Sequence, residues 1–152
     1  MPIKNSKIDK TVFIANKKLV NIYGCKIKKN TKIGPFVEIQ KDVTIGKNCK
    51  ISSHSFICSG VNIGDNVFIG HSVVFINDKN PFAVNKKGEL KNENDWKLEK
   101  TFLEDGVSIG SGAVIMCGIT IGKNSKIGAG SLVLKNVPKN KLYYNKRNIY
   151  QK

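Results

Sequence analysis

Apolar residues recur at every sixth position along most of this chain, and few backbone conformations satisfy that period. From Ile27 the steps read Ile27, Ile33, Ile39, Ile45, Ile51, Ile57, Ile63, Ile69 and Phe75; from Leu103 they read Leu103, Ile109, Ile115, Ile121, Ile127 and Val133. Four residues after nearly every one stands a small or β-branched side chain: Thr31, Val37, Val43, Cys49, Ser55, Val61, Val67 and Val73, then Val107, Ala113, Ile119, Ser125, Ser131 and Val137. An α-helix repeats at about 3.6 residues and gives no reason for one face to return every sixth; a strand repeats at about two, which divides six. The pattern predicts short strands joined by sharp corners, three sides closing a coil of about eighteen residues. Both recurring side chains face inward, and stacked coils build one apolar column. Glycine often follows the large aliphatic (Gly34, Gly46, Gly64, Gly70, Gly110, Gly122, Gly128), and pairs such as Lys47-Asn48, Asp65-Asn66 and Lys123-Asn124 separate the repeats. Asn, Asp and Gly tolerate the positive φ that a tight corner demands.

Two places break the period. Ile8, Ile14 and Val20 keep the six-step but stand seven residues out from Ile27, so a slip is expected at Tyr23-Gly24-Cys25. From Phe75 to Leu103 is 28 residues, four hexads plus four, so the phase is lost and regained. The polar segment of about residues 77–101 is expected to leave the column as a long loop, and loops of that length inside a compact domain are usually functional. Trp96, the only tryptophan, is expected to anchor the loop on a neighbouring subunit or a ligand, or to pin it to its own coil.

The 152 residues suit a single domain, 1–152, and 40% hydrophobic content supplies one continuous core. No apolar run is long enough to span a membrane, and no apolar stretch follows the charged N-terminus as in a secretory signal, so the expected location is the cytoplasm. Cys25, Cys49, Cys58 and Cys117 form no C-x-x-C pair and match no zinc spacing, which makes them small buried apolar groups in a reducing compartment. The net charge is +15, carried almost wholly by scattered lysines, with Arg147 the only arginine. Base-reading proteins lean on arginine for bidentate contacts, so nucleic acid is not the expected partner; a general attraction for polyanions is.

The aliphatic–Gly–x–x–small–x hexad, repeated over residues 27–138, resembles the hexapeptide-repeat acyltransferase family, whose coils wind into a left-handed parallel β-helix. The resemblance implies an all-β fold of that kind with the long loop and a short C-terminal tail, homotrimers with sites between subunits, and acetyl-CoA as co-substrate without a metal. Gly106 to Ile115 and Gly118 to Gly122 look like the family's coils along the CoA groove, and Gly128-Ala129-Gly130-Ser131 like its pantetheine contact. By that likeness Gly112, Ala113, Gly128 and Ala129 are cofactor-binding candidates, with Lys135 and Lys139 as phosphate partners among the C-terminal lysines. Family members usually end on Val-Pro followed by Gly-Asn-Pro-Ala. Here Val137-Pro138 leads into Leu142-Tyr143-Tyr144-Asn145-Lys146-Arg147, so Tyr143 or Tyr144 becomes the candidate for stacking on adenine.

Hydroxyl-directed members carry a catalytic histidine in a His-Pro segment where the loop begins; here the stretch reads Phe75-Ile76-Asn77-Asp78-Lys79-Asn80-Pro81. With His54, His71, Asp95 and Trp96, this looks like the N-acetyltransferases of nucleotide-linked 3-amino sugars, typically dTDP-3-amino-3,6-dideoxyhexoses used in surface polysaccharides. A hydroxyl needs a base as it attacks, whereas a neutral amine is already a nucleophile and mainly needs orientation and an oxyanion donor. Asn77 and Asp78 are assigned to the amino sugar, with Asp78 either accepting a proton or capping loop backbone. His71 is placed as a contact of the acceptor or a proton acceptor, and His54 and Trp96 as substrate contacts. A different sugar hydroxyl or a small amine as acceptor, and a non-catalytic scaffold, stay open. A zinc carbonic anhydrase on this coil needs three histidines, and the chain has two.

Overall fold

The inward repeat closes as the period requires. The computed structural model describes residues 2–146 as stacked three-sided coils of strands two or three residues long, with one short 3-10 turn at Lys17–Leu19. The strands collect into three parallel sheets of seven, six and seven. Face A holds Ile3–Lys4, Asn21–Tyr23, Glu38–Ile39, Phe56–Ile57, Val74–Phe75, Val114–Ile115 and Leu132–Val133. Face B holds Lys7–Ile8, Lys26–Ile27, Thr44–Ile45, Val61–Ile63, Thr101–Leu103 and Thr120–Ile121. Face C holds Phe13–Ile14, Lys32–Ile33, Lys50–Ile51, Phe68–Ile69, Ser108–Ile109, Lys126–Ile127 and Leu142–Tyr143.

Register follows from like stacking on like. Ile33 pairs with Ile51 and Ile51 with Ile69; Ile27, Ile45 and Ile63 do the same on face B. Every large aliphatic from Ile27 to Phe75 and from Leu103 to Val133 is at most 3% exposed, so the column is dry along its length. Where the smaller inward position is a hydroxyl, the hydroxyl is satisfied. Thr31 Oγ1 donates to the Gly46 carbonyl at 3.0 Å and accepts the Cys49 N–H at 3.1 Å, and Ser55 Oγ donates to Gly70 O at 2.8 Å.

The corners divide two tasks that the sequence reading merged. Positive φ belongs to the third residue after the large aliphatic, among them Asn30 (59°), Asn48 (56°), Asn66 (59°) and Asn124 (59°). The glycine directly after the aliphatic is there for space: a Cβ at Gly34 would lie 2.8 Å from Ser53 N, because the next coil's corner passes overhead.

The breaks resolve differently from expectation. Ile22, not Val20, takes the large inward place, pairing with Ile3 and Ile39, and Val20 takes the small place two residues before it. Two extra residues sit in the 3-10 turn between Ile14 and Ile22, and the five-residue step from Ile22 to Ile27 gives one back at Tyr23-Gly24-Cys25, the place of the expected slip. At the other end, Val137 bridges to Ile121 and so fills the face B place of a shortened last coil rather than a small position. Across the excursion, Ile63 pairs with Leu103 and Phe75 with Ile115, 40 residues apart instead of 18, so one coil carries 22 extra residues. The loop ends by residue 100, since Thr101 already pairs with Val61.

Ile69→Ala is expected to lower stability by about 2–5 kcal/mol, while Lys126→Ala on an outward position shifts it by less than about 0.5 kcal/mol. Denaturant midpoints of the two variants check the direction of every inward residue.

Candidate active site

The edge where face C turns into face A carries a column of corner residues with positive φ: Phe36 (57°), His54 (62°), Ser72 (54°), Gly112 (70°) and Gly130 (64°). Left-handed backbone is costly for a residue as bulky as phenylalanine. Hydrogen bonds along the edge hold it: His54 N–H donates to Pro35 O, Ser72 N–H to Ser53 O, Gly112 N–H to His71 O and Gly130 N–H to Ser111 O. The Phe36 and His54 rings stack with centroids 4.8 Å apart. Side chains along the edge thus shrink from two stacked rings to two bare glycines in the direction of the C-terminus.

His71 stands on this edge, exposed, with Nδ1 2.8 Å from Ser53 Oγ and its own N–H donated to Ser111 Oγ at 3.0 Å. A hydroxyl serves as donor or acceptor, so Ser53 fixes the ring in either tautomer. With Nδ1–H donated to Ser53, the outer nitrogen presents a lone pair. Gly128 and Ala129 lie further along the same edge, and Ala129's N–H has no partner among the described residues. Ala113, a cofactor-binding candidate, has its side chain buried in the column and its N–H given to Gly110 O. Ser53 and Ser111 were missed in the sequence, although each stands one hexad triplet from His71's place in the repeat.

Asn77 and Asp78 lie elsewhere. They leave face A at its opposite edge, toward face B, so within one chain they are not beside His71, as their closeness in sequence suggested. Asn77 Nδ2 donates to Ser59 O at 3.3 Å, tying the loop's root to the coil below, and its Oδ1 is left to accept. Asp78 Oδ1 accepts the Asn80 N–H at 2.8 Å, which is the backbone-capping role, and its second oxygen has no partner among the described residues. Lys79 and Glu99 close the root with an ion pair at 2.7 Å. The loop returns over the A–B edge, with Leu98 against Gly60, Lys41 paired to Glu93, and Trp96 over a hollow shared with Lys41, Asp42 and Ser59. Within one chain, Trp96 thus faces a hollow on its own coil. The loop's middle is a hairpin, Val84 bridging Leu90 around an Asn85 turn, and Phe82 and Leu90 stay 71% and 81% exposed.

The lysines expected at CoA phosphates are also dispersed. Lys135 follows Val133 on the A–B edge and Lys139 follows Val137 on the B–C edge, so neither shares the edge of Gly112 and Gly128. Tyr143 is engaged in the last rung, its hydroxyl donating to Leu132 O at 2.9 Å, while Tyr144 is exposed; Arg147 lies outside the described residues. Among the described residues no group of His, Cys, Asp or Glu is arranged to hold a metal ion, and no helix is long and apolar enough to cross a membrane.

The six-residue repeat of the bacterial transferase hexapeptide family matches residues 24–59 and 100–135, the two stretches either side of the loop. The bifunctional protein GlmU of Thermosipho africanus is 37% identical over 119 residues, 78% of this chain and 23% of its own length. The chain spans less than a third of such relatives. Galactoside acetyltransferase, solved with coenzyme A, is 32% identical with a TM-score of 0.65, covering 76% of this chain and 58% of that one. A Bacillus cereus N-acyltransferase solved with dTDP and coenzyme A shares the fold over 94% of this chain and 78% of its own, at 23% identity and a TM-score of 0.65.

Beneath the loop root, burial pushes the Cys58 thiol up to about 12 and raises Cys117 as well, with the Glu99 carboxylate adding to the latter. All four cysteines are buried and free. The folded protein is expected to react with a thiol-specific reagent at pH 8 far more slowly than the same protein in denaturant, as absorbance of the released chromophore will show.

Proposed function

The chain belongs to the hexapeptide-repeat family of bacterial transferases, and from that premise we propose that it moves an acetyl group from acetyl-CoA to the amine of a nucleotide-linked amino sugar. A dTDP-3-amino-3,6-dideoxyhexose, destined for a surface polysaccharide, is the acceptor of choice. The observation that carries the reading is the tethered His71 on an edge that becomes bare glycine on one side. The solved relatives give the precedent: this fold holds coenzyme A in galactoside acetyltransferase, and dTDP with coenzyme A in the Bacillus cereus enzyme.

The donor lies along Gly112, Gly128 and Ala129: the absent side chain of Gly112 admits the pantetheine arm, the corner at Gly128 passes close under Tyr144, and the Ala129 N–H meets a pantetheine carbonyl. The sugar amine arrives as an ammonium. His71 takes its proton on the outer nitrogen, with the inner N–H held by Ser53. The amine then attacks the thioester carbon; the C–N bond forms, the C–S bond breaks, the departing thiolate receives the imidazolium's proton, and the second proton that the nitrogen must lose passes to solvent. Asn77 Oδ1 and the free oxygen of Asp78 hold the amine.

These two halves sit on opposite edges of face A, so a second copy must bring them together. Face A suits burial between copies: beyond Asn21 and Glu38 its outward row runs Phe56, Val74, Val114 and Leu132, all apolar, whereas faces B and C carry lysines. Three prisms with face A toward a common axis set the His71 edge of one beside the loop root of the next. The exposed Phe82 and Leu90 on the hairpin then gain a partner. Lys135, on the A–B edge, reaches a CoA phosphate only from a neighbour, while Lys139, on the B–C edge that points away from the axis, stays outside this site. A hydroxyl acceptor is the second reading, favoured by the same Ser53–His71 pair, since a tethered imidazole also serves O-acylation.

Offering acetyl-CoA with a panel of nucleotide-linked amino sugars and hydroxyl sugars, and measuring free thiol, distinguishes the readings; release with hydroxyl sugars alone rejects the amine. With the active acceptor, His71→Ala is expected to lower kcat about 100-fold or more, and Asn77→Ala with Asp78→Asn about tenfold or more. Light scattering is expected to give a trimer for the wild type and both variants; a monomer with full activity refutes the shared site.

A further inference from the structure

On face C, beside His71, one outward row sets two lysines between two phenylalanines, which the repeat does not require. Phe13 pairs in register with Lys32, Lys32 with Lys50, and Lys50 with Phe68, whose ring lies 5.8 Å from Lys50 Nζ. Phe13 is 59% exposed although a strand ending in an inward isoleucine needs no phenyl on its outer side. The row does not stand on a flat wall. A cavity of about 280 Å³ runs from Phe13, Lys32 and Lys50 over Pro35 to Ser53 and His71. His71 thus closes one end of a hollow whose far end is an exposed phenyl ring.

Neighbouring coils are about 4.8 Å apart. The corner of His71 stands three coils from that of Phe13, about 14 Å, the span of a nucleoside diphosphate from base to terminal oxygen. The chemistry at each station fits in that order. A base has an apolar face, and an exposed phenyl is a stacking platform. A diphosphate carries two adjacent negative groups, and Lys32 and Lys50 stand one coil apart with no carboxylate among the residues lining the hollow. What hangs from the terminal phosphate arrives at His71.

We propose that this hollow is the acceptor's nucleotide subsite: Phe13 stacks on the base, Lys32 and Lys50 hold the diphosphate, and the sugar is delivered to His71 from the N-terminal side. The inference rests on the proposed acyl transfer to a nucleotide-linked sugar and adds where the nucleotide lies. It divides the C–A edge at His71, with the donor on the glycine side and the acceptor on the aromatic side, so the two bind together without competing.

The test is calorimetric titration of the full chain with dTDP and UDP, neither of which needs turnover. Saturable binding of at least one is expected, weakened about tenfold or more in Lys32→Ala/Lys50→Ala and in Phe13→Ala. Lys26→Ala on face B removes the same charge and leaves the affinity unchanged, as does prior saturation with CoA. Equal affinity in the double variant, displacement of the nucleotide by CoA, or no binding of either nucleotide overturns the subsite. Thiol release separates this from the broader reading: nucleotide binding that obeys the variants while no amino sugar releases thiol keeps the subsite and rejects the acyl transfer. Thiol release that persists while no nucleotide binds does the opposite.

Discussion

One stacking constraint governs this molecule: each large aliphatic must sit on the equivalent residue of the coil below. Ile33 on Ile51 on Ile69 is a column of like on like, and any one-residue slip turns an isoleucine outward and a lysine inward. The penalty for burying an unpaired lysine is far larger than the gain from any single contact. The register is therefore fixed everywhere at once, and deviations are confined to places where the chain can absorb them. The 3-10 turn at Lys17–Leu19 takes up extra residues at one end, the shortened coil at Val137 gives some up at the other, and the long excursion leaves through a corner. In all three cases the inward column continues.

Because the faces are committed to the core on one side, chemistry collects on the corners and the outward rows. Corner residues are freed from the inward requirement and placed at coil spacing, so a serine and a histidine one coil apart meet within hydrogen-bonding distance, as Ser53 and His71 do. The same regularity lets one edge change character along its length. Bulky rings at Phe36 and His54 give way to Gly112 and Gly130 along a single line. The left-handed backbone that all four share is easy for glycine and strained for phenylalanine, so the bulky residues are held there at a cost that the corner hydrogen bonds offset.

The outward rows differ as sharply as the edges. Face A from Glu38 to Leu132 carries no lysine, while faces B and C carry them in register, Lys7 on Lys26 and Lys32 on Lys50. A net charge of +15 spread evenly would oppose self-association. The lysines that stand in register are on faces B and C, while the C-terminal part of face A presents Phe56, Val74, Val114 and Leu132 outward.

The six-residue period determined the coil, its three sides and the identity of nearly every buried residue, because a periodic inward demand is a property of the chain itself. Ile27 to Val133 could be assigned from spacing alone, and the excursion from the loss of phase. What tertiary structure decided was everything that depends on which corner a residue occupies. His71 and Asn77 are six apart in sequence yet fall on opposite edges, since six residues are one whole side of the prism. Ser53 and His71 are eighteen apart yet touch, since eighteen residues are one whole coil. Trp96 and Lys135 followed the same rule: their surroundings come from neighbouring coils, whose contacts no linear pattern contains. Even the competition between Val20 and Ile22 for the inward place was settled by pairing with Ile3 and Ile39, two coils that only stacking brings together.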